Sequence, residues 1–204
     1  MSITCPVDLD TAFLRGEVSN IYSRVASEPN GTFHFHRGPR YAADYLGYDF
    51  AELSGLPSQT TAAFAGIGNP LAIAPINAGE TVLDIGCGAG MDLLLAAGRV
   101  GPGGKAIGVD MTESMANRAR SSATAMGYAH VEVRLGDATA LPIDDASVDV
   151  IISNGVLNLV PEKEKAFDEI LRVLRPGGRL QLADIVVEKE LSDDTRRNID
   201  LWTG

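Results

Sequence analysis

Between residues 81 and 187, short apolar runs alternate with segments of helical period, and this alternation constrains the fold more than any other feature of the chain. "TVLDIG" reads as a buried strand, "GMDLLLAAGRV" as a helix, "KAIGVDM" as a strand and "TESMANRARSSATAMG" as a helix with Thr112 as its N-cap. "HVEVRL" and "SVDVIISN" follow as strands, separated by the turn "GDATALP". The helix "PEKEKAFDEILRVLRPGG", with Pro161 at its first position, and the strand "RLQLADIVV" complete the series. Strands and helices alternating at this spacing predict an α/β fold, a doubly wound and mainly parallel sheet with helices on both faces. A further helix is expected over "SDDTRRNIDLW".

The first 80 residues break the alternation. "DLDTAFLRGEVSNIYSRVAS" reads as an amphipathic helix, "PRYAADYLGY" and "FAELSG" as shorter ones, and "AGIGNPLAIAPINAG" as a loop and half-helix leading to the first strand. The expected division is a helical cap segment over 1–68 and a ligand-binding domain over 69–204. In an open α/β sheet the ligand crevice lies beyond the carboxyl ends of the strands, where such an appendage is placed to cover it.

At 204 residues the chain supports one sizeable core plus an appendage. Apolar residues at 45% and charged residues at 22% fit a globular protein, and the 22 glycines gather at loop-like positions. A net charge of −10 argues against a nucleic-acid partner, because phosphate would be repelled wherever the surface is not locally basic. The basic cluster "RVLRPGGR" is expected along one helix and its C-terminal end. "MSITCPVDLD" has no basic start or apolar core of a leader, and no stretch approaches the roughly 18 apolar residues of a membrane span, so no membrane partner and a cytoplasmic location are expected. Cys5 and Cys87 lack metal-site spacing, and no third ligand is evident beside His34 and His36 in "FHFHRG", so no metal is expected.

The chemistry concentrates around "VLDIGCGAG". Gly86, Gly88 and Gly90 follow an apolar strand at alternate positions, which requires a sharp turn and a close backbone approach to a ligand. A dinucleotide fingerprint counted from Gly86 would need glycine at 91, where the chain has Met91, so a nicotinamide oxidoreductase is disfavoured. Asp110 ends the second strand 24 positions after Gly86, where a carboxylate can accept ribose hydroxyls. "GDA" after the third strand and "SNGVLNL" after the fourth add two more polar turns at strand ends, all facing one crevice.

Taken in order, "VLDIGCGAG", "GVDM", "GDA", "SNGVLNL" and "RVLRPGG" resemble the motif series of class I S-adenosylmethionine-dependent methyltransferases over residues 81–187. "FAGIGNP", "VGPGGKAIGVDMT", the "SN-x-V-x-NL" pattern, "YLGY" and "DLW" are similar, more narrowly, to the arsenite methyltransferase group. The resemblance implies S-adenosylmethionine as cofactor and a small-molecule methyl acceptor. It implies that Gly86, Cys87, Gly88 and Gly90 surround the methionine part, with Asp84 supporting the loop, and that Asp110 takes the ribose hydroxyls. Met111 would pack on the adenine, Asp137 and Ala138 would meet its edge, and Asn154 and Val156 would close the crevice near the sulfonium. The chain departs from the arsenite group at Gly155, where that group carries cysteine. A carbon- or oxygen-methyltransferase of the quinone-biosynthesis or small-metabolite kind, and a cofactor-binding module without catalysis, remain alternatives. The resemblance also implies further C-terminal strands that the sequence does not supply, so an open sheet edge and a tendency to form a homodimer are expected.

Overall fold

A parallel sheet in the order β3-β2-β1-β4-β5 organises the chain. The computed structural model describes residues 10–28, 31–186 and 188. Its elements are α1 (Thr11–Ser27), α2 (Gly38–Leu46), α3 (Phe50–Ser54), α4 (Ser58–Ala62), β1 (Thr81–Ile85), α5 (Met91–Val100), β2 (Lys105–Asp110), α6 (Glu113–Ala125), β3 (Val131–Leu135), β4 (Val148–Asn154), α7 (Lys163–Val173) and β5 (Leu174–Ala183). All four neighbouring strand pairs are parallel, and β1 sits at the centre between β2 and β4. The α/β expectation therefore holds, with the N-terminal helices as an appendage. Among the described residues β3 and β5 form the sheet edges, and the segment expected to form a helix over 192–202 lies outside them.

Both faces of the sheet are covered, which is why its central strands are apolar over most of their length. Val82 of β1 and Val150 and Ile152 of β4 pack against Met91, Leu95 and Val100 of α5 and, from the N-terminal segment, Tyr48, Phe64 and Leu71. Leu83, Ile85 and Ile151 point the other way, onto Ala166, Ile170 and Val173 of α7. Every strand thus delivers its carboxyl end to one edge of the layered core, and the loops that leave those ends build the site.

Both ends of α7 and of β5 differ from the sequence expectation. The first main-chain bond of α7 runs from the Ala166 N–H to the Glu162 carbonyl, so the helix starts at Lys163 and leaves Pro161 in the preceding loop. At its other end α7 stops at Val173, and Leu174 is already extended. Pro176 disfavours helical backbone at Arg175, and the chain bulges: pairing passes from Val148↔Leu174 directly to Val150↔Arg179. Among the described residues β5 is an edge strand, a place where proline is tolerated. The strand begins earlier than expected and ends at Ala183. The basic cluster accordingly divides: Arg172 pairs with Glu169 at 2.7 Å on the helix, while Arg175 and Arg179 lie on β5 and pair with Asp149 and Glu80, both at 2.8 Å.

Ile151 is fully buried on the central part of β4. Its replacement by alanine should cost about 2–5 kcal/mol, as for aliphatic side chains removed from close-packed cores. Urea unfolding measures this directly, and a loss under about 1 kcal/mol would show that the site collapses around the deletion.

Candidate active site

The loop after β1 has left-handed backbone at Gly86 (φ +69°), Gly88 (φ +53°) and Gly90 (φ +94°), a conformation costly for residues with a Cβ. The three glycines serve different ends. A Cβ on Gly86 would lie 2.7 Å from Cγ1 of Val156, and one on Gly90 would lie 3.1 Å from Cβ of Ala119 in α6. A Cβ on Gly88 would meet nothing within 4 Å and would stand in the crevice. The loop is tied down by Asp110 at the end of β2. Its Oδ2 accepts a hydrogen bond from the Gly88 N–H and its Oδ1 one from the Thr112 N–H, each 2.8 Å. One carboxylate thus holds the glycine loop and the start of α6 together. Thr112 occupies the expected N-cap position, but its side chain makes no capping bond to the helix.

Three buried carboxylates meet below this loop. Asp84, Asp92 and Asp110 are only 3%, 6% and 9% exposed. Burial pushes all three upward in pKa; for Asp84 the charges of Asp92 and Asp110 push further in the same direction. The Oδ2 of Asp84 is buried without a hydrogen-bond partner, the one such side-chain atom among the described residues. An unpartnered buried carboxylate oxygen is costly unless a ligand completes it. The buried thiol of Cys87 is also pushed up, first by burial and then by Asp110 and Asp84.

Asp92, at the start of α5, is the centre of a polar network. Its Oδ1 accepts from the Tyr48 hydroxyl at 2.6 Å and its Oδ2 from Nδ2 of Asn154 at 3.0 Å. The Asn154 Oδ1 in turn accepts from the Ile67 N–H at 2.8 Å and the Gly68 N–H at 3.1 Å, while its Nδ2 donates to the Gly68 carbonyl at 2.8 Å. Segment 66–68 therefore runs close against the end of β4. A Cβ on Gly66 would collide with the Asn154 amide, and one on Gly68 would lie 2.7 Å from Cβ of Ala183. This close passage accounts for the glycines of "AGIGNP".

A crevice of about 1100 Å³, counted with its open mouth, lies between these groups and the N-terminal helices. Asp84, Gly86, Cys87, Gly88, Asp110, Met111, Asp137, Ala138, Asn154 and Val156 all line it. Gly90 does not; it is the N-cap of α5 and packs on Ala119. Two candidates are more occupied than their sequence context implied. The Asn154 amide is committed to segment 66–68 and Asp92. Asp137 receives Nε of Arg15 at 3.0 Å on Oδ2, and the Thr139 N–H and hydroxyl on Oδ1 at 2.8 and 2.7 Å. Arg15 and Tyr22 of α1, together with Asp92 and Tyr48, are site residues that sequence reasoning missed. The Tyr22 phenol is pushed up to about 12 by burial and by the facing Asp110. His34 instead packs edge-on against Phe35 and His36 stacks on Tyr41. Cys5 lies outside the described residues.

A glycine loop, an acid at the next strand end and a covered crevice at the carboxyl edge are features many nucleotide-binding folds share, and comparison with known proteins separates them. The sequence profile described as a methyltransferase domain matches residues 76–203. The chain belongs to that family. Over 162 residues this methyltransferase domain is 46% identical to the arsenite methyltransferase of Halobacterium salinarum, covering 79% of the chain and 41% of the relative. It is 38% identical to that of Aquipseudomonas alcaligenes, covering 61% and 38%. The chain thus spans about two fifths of the length of these curated relatives. Among solved structures, an arsenic(III) S-adenosylmethionine methyltransferase from Chlamydomonas reinhardtii superposes with a TM-score of 0.66 at 35% identity, covering 71% of this chain and 51% of that one. Among the described residues no helix is long and apolar enough to cross a membrane.

Burial of Asp92 has a measurable consequence for the domain's stability. Its carboxyl is pushed up to about 6, first by burial and against the pull of Tyr48, Asn154 and Arg99. The folded state therefore binds this proton more tightly than the unfolded chain, so the contribution is full below about pH 4 and is lost as pH rises through about 6. Asparagine at position 92 carries no charge at either end of that window. Relative to wild type, Asp92→Asn should gain stability between about pH 4 and about pH 8 in urea unfolding. A difference independent of pH would contradict the elevated carboxyl.

Proposed function

We propose that the crevice binds S-adenosylmethionine and that the domain directs its methyl group to a small-molecule acceptor, as in the arsenite methyltransferases it resembles. The observation that carries this reading is the pairing of an open cradle at Gly88 with the unpartnered, buried Oδ2 of Asp84. A ligand that is at once nucleoside-like and cationic satisfies both: the loop admits its chain, and its positive charge offsets three crowded carboxylates. When bound, the cofactor supplies an electrophilic sulfonium methyl, so the protein's task is to align an acceptor lone pair with it and exclude water.

The residues divide that task. Asp110, with lone pairs left on both oxygens, would hold the ribose hydroxyls. Gly86, Cys87 and Gly88 would admit the methionine part by their backbone, and Asp84 would face its charge. Met111, more than a third exposed at the crevice, would cover the adenine, with Ala138 and the Asp137 turn at its edge. Val156 would narrow the methyl-donor end, and Asn154 would hold segment 66–68 as its wall. Val18, Tyr22 and Phe64 add apolar surface to the crevice.

The acceptor side favours a soft nucleophile that brings its own sulfur ligands. Cys87 is buried within the loop with its thiol pushed up, which leaves it protonated rather than ready to bind trivalent arsenic. At Gly155 a side chain would make ordinary contact with Ile67 at 3.4 Å, although its φ of +69° adds backbone strain. Arsenite should therefore be methylated with glutathione and slowly without it, and Gly155→Cys should raise the glutathione-independent rate. Quantifying methylarsenicals in both conditions decides this; rapid thiol-independent methylation by the unaltered chain would exclude the proposed acceptor state.

Cofactor binding is testable by itself. Asp110→Ala should weaken S-adenosylmethionine binding by about 1.5–3 kcal/mol, the range for hydrogen bonds to a charged acceptor. Gly88→Val should abolish it while circular dichroism stays native. Calorimetry returning wild-type affinity for either folded variant would place the ligand elsewhere.

A further inference from the structure

The two banks of the crevice are joined by a single side chain from the N-terminal segment. Arg15 of α1 donates from Nε to Asp137 Oδ2 at 3.0 Å, on the turn after β3. The same guanidinium donates from Nη2 to Glu162 Oε2 at 2.9 Å and from Nη1 to Oε1 at 3.3 Å, just before α7. A third contact reaches Thr139 Oγ1 at 3.4 Å. β3 is at one edge of the sheet, and Glu162 follows β4 on the far side of β1, so this planar fork spans the site. Arg15, Val18 and Tyr22 lie three and four residues apart and present one face of α1 to the cavity.

α1 is anchored unevenly. Its C-terminal half is embedded, with Val25 and Ala26 packed on Ala63, Ala89 and Met115. Its N-terminal half rests on two buried apolar side chains, Leu14 and Val18, with Leu159 as their neighbour outside the helix, and among the described residues Arg15 adds its ion pairs there. The ion pairs themselves are about 30% exposed, so solvent screens them and they can open. Opening of this end breaks the exchangeable ion pairs and uncovers Leu14 and Val18, while Val25 and Ala26 stay seated at the other end.

We infer that Arg15 is a positioning residue that latches α1 across the crevice, and that its ion pairs with Asp137 and Glu162 set the rate at which an adenosyl ligand leaves. The inference rests on the proposed cofactor reading and goes beyond it, by assigning to α1 the regulation of access. An arginine is suited to the task because its fork engages two carboxylates on opposite banks at once, which a lysine ammonium on a flexible stem does so less well.

Two measurements on the full chain test it. The first needs no ligand: hydrogen exchange of the α1 amides should be at least several-fold faster in Arg15→Ala than in wild type, with exchange in β1 and β4 unchanged. Unchanged exchange over α1 overturns the latch whether or not the chain binds a cofactor. The second is the dissociation rate of S-adenosylhomocysteine by stopped-flow or surface plasmon resonance. Arg15→Ala and Glu162→Gln should each raise it about tenfold, their combination should raise it little further, and Arg15→Lys should recover part of the loss. High salt should accelerate release from wild type but barely from Arg15→Ala. If wild type binds the ligand and these variants release it at the wild-type rate, the inference fails while the cofactor reading stands; if wild type binds none, the cofactor reading fails by itself.

Discussion

Asp110 performs a task on which the rest of the site depends: from the end of β2 it fixes both the glycine loop and the first turn of α6. It acts together with the Gly86 and Cys87 N–H groups, which bond the Val109 carbonyl, and with the packing of Gly90 on Ala119 of α6. The arrangement concentrates charge. Asp84 and Asp92 are buried beside it, each raised in pKa, and the fold tolerates the crowding by giving Asp92 and Asp110 donors while leaving Asp84 incomplete. Structural stability alone would favour apolar residues there, since buried charges are costly even when paired. The proposed cationic ligand would turn that cost into affinity.

The N-terminal segment is a wall of the site rather than an accessory to it. Tyr48 reaches Asp92, the turn at 66–68 is stitched to Asn154, and α1 closes the crevice through Tyr22 and Arg15. The glycines of "AGIGNP" matter for the same reason as Gly86 and Gly90 after β1, a close packing that a Cβ would block, and their neighbours are Asn154 and Ala183 of β5. The walls of the crevice and the anchoring of the appendage therefore share a handful of polar contacts.

What could be read from the sequence was local. Strand and helix periods and the φ demands of Gly86 and Gly88 are written in short local stretches, Asp110 is marked by its place at the next strand end, and the structure puts Gly86, Gly88 and Asp110 on one crevice. What escaped was long-range or context-bound. Arg15 meets Asp137 and Glu162 across 122 and 147 residues, and Tyr48 meets Asn154 across 106. No local pattern marks such partners. The five-residue α4 is too short to carry a period. The "RPGG" bulge interrupts what reads as a helix end, because strand pairing with β4 outweighs helical preference there. Gly90 carried the same motif signal as Gly88 but serves helix packing on Ala119.

The central claim is that an anionic crevice, incomplete at Asp84, receives the cationic nucleoside S-adenosylmethionine. A crystal structure of the chain with that ligand tests it most directly. The account expects the ribose hydroxyls on Asp110, the ligand chain over Gly88 and a cationic group facing the Oδ2 of Asp84. A ligand bound outside the crevice, or one that leaves the Asp84 oxygen without a partner, would contradict it.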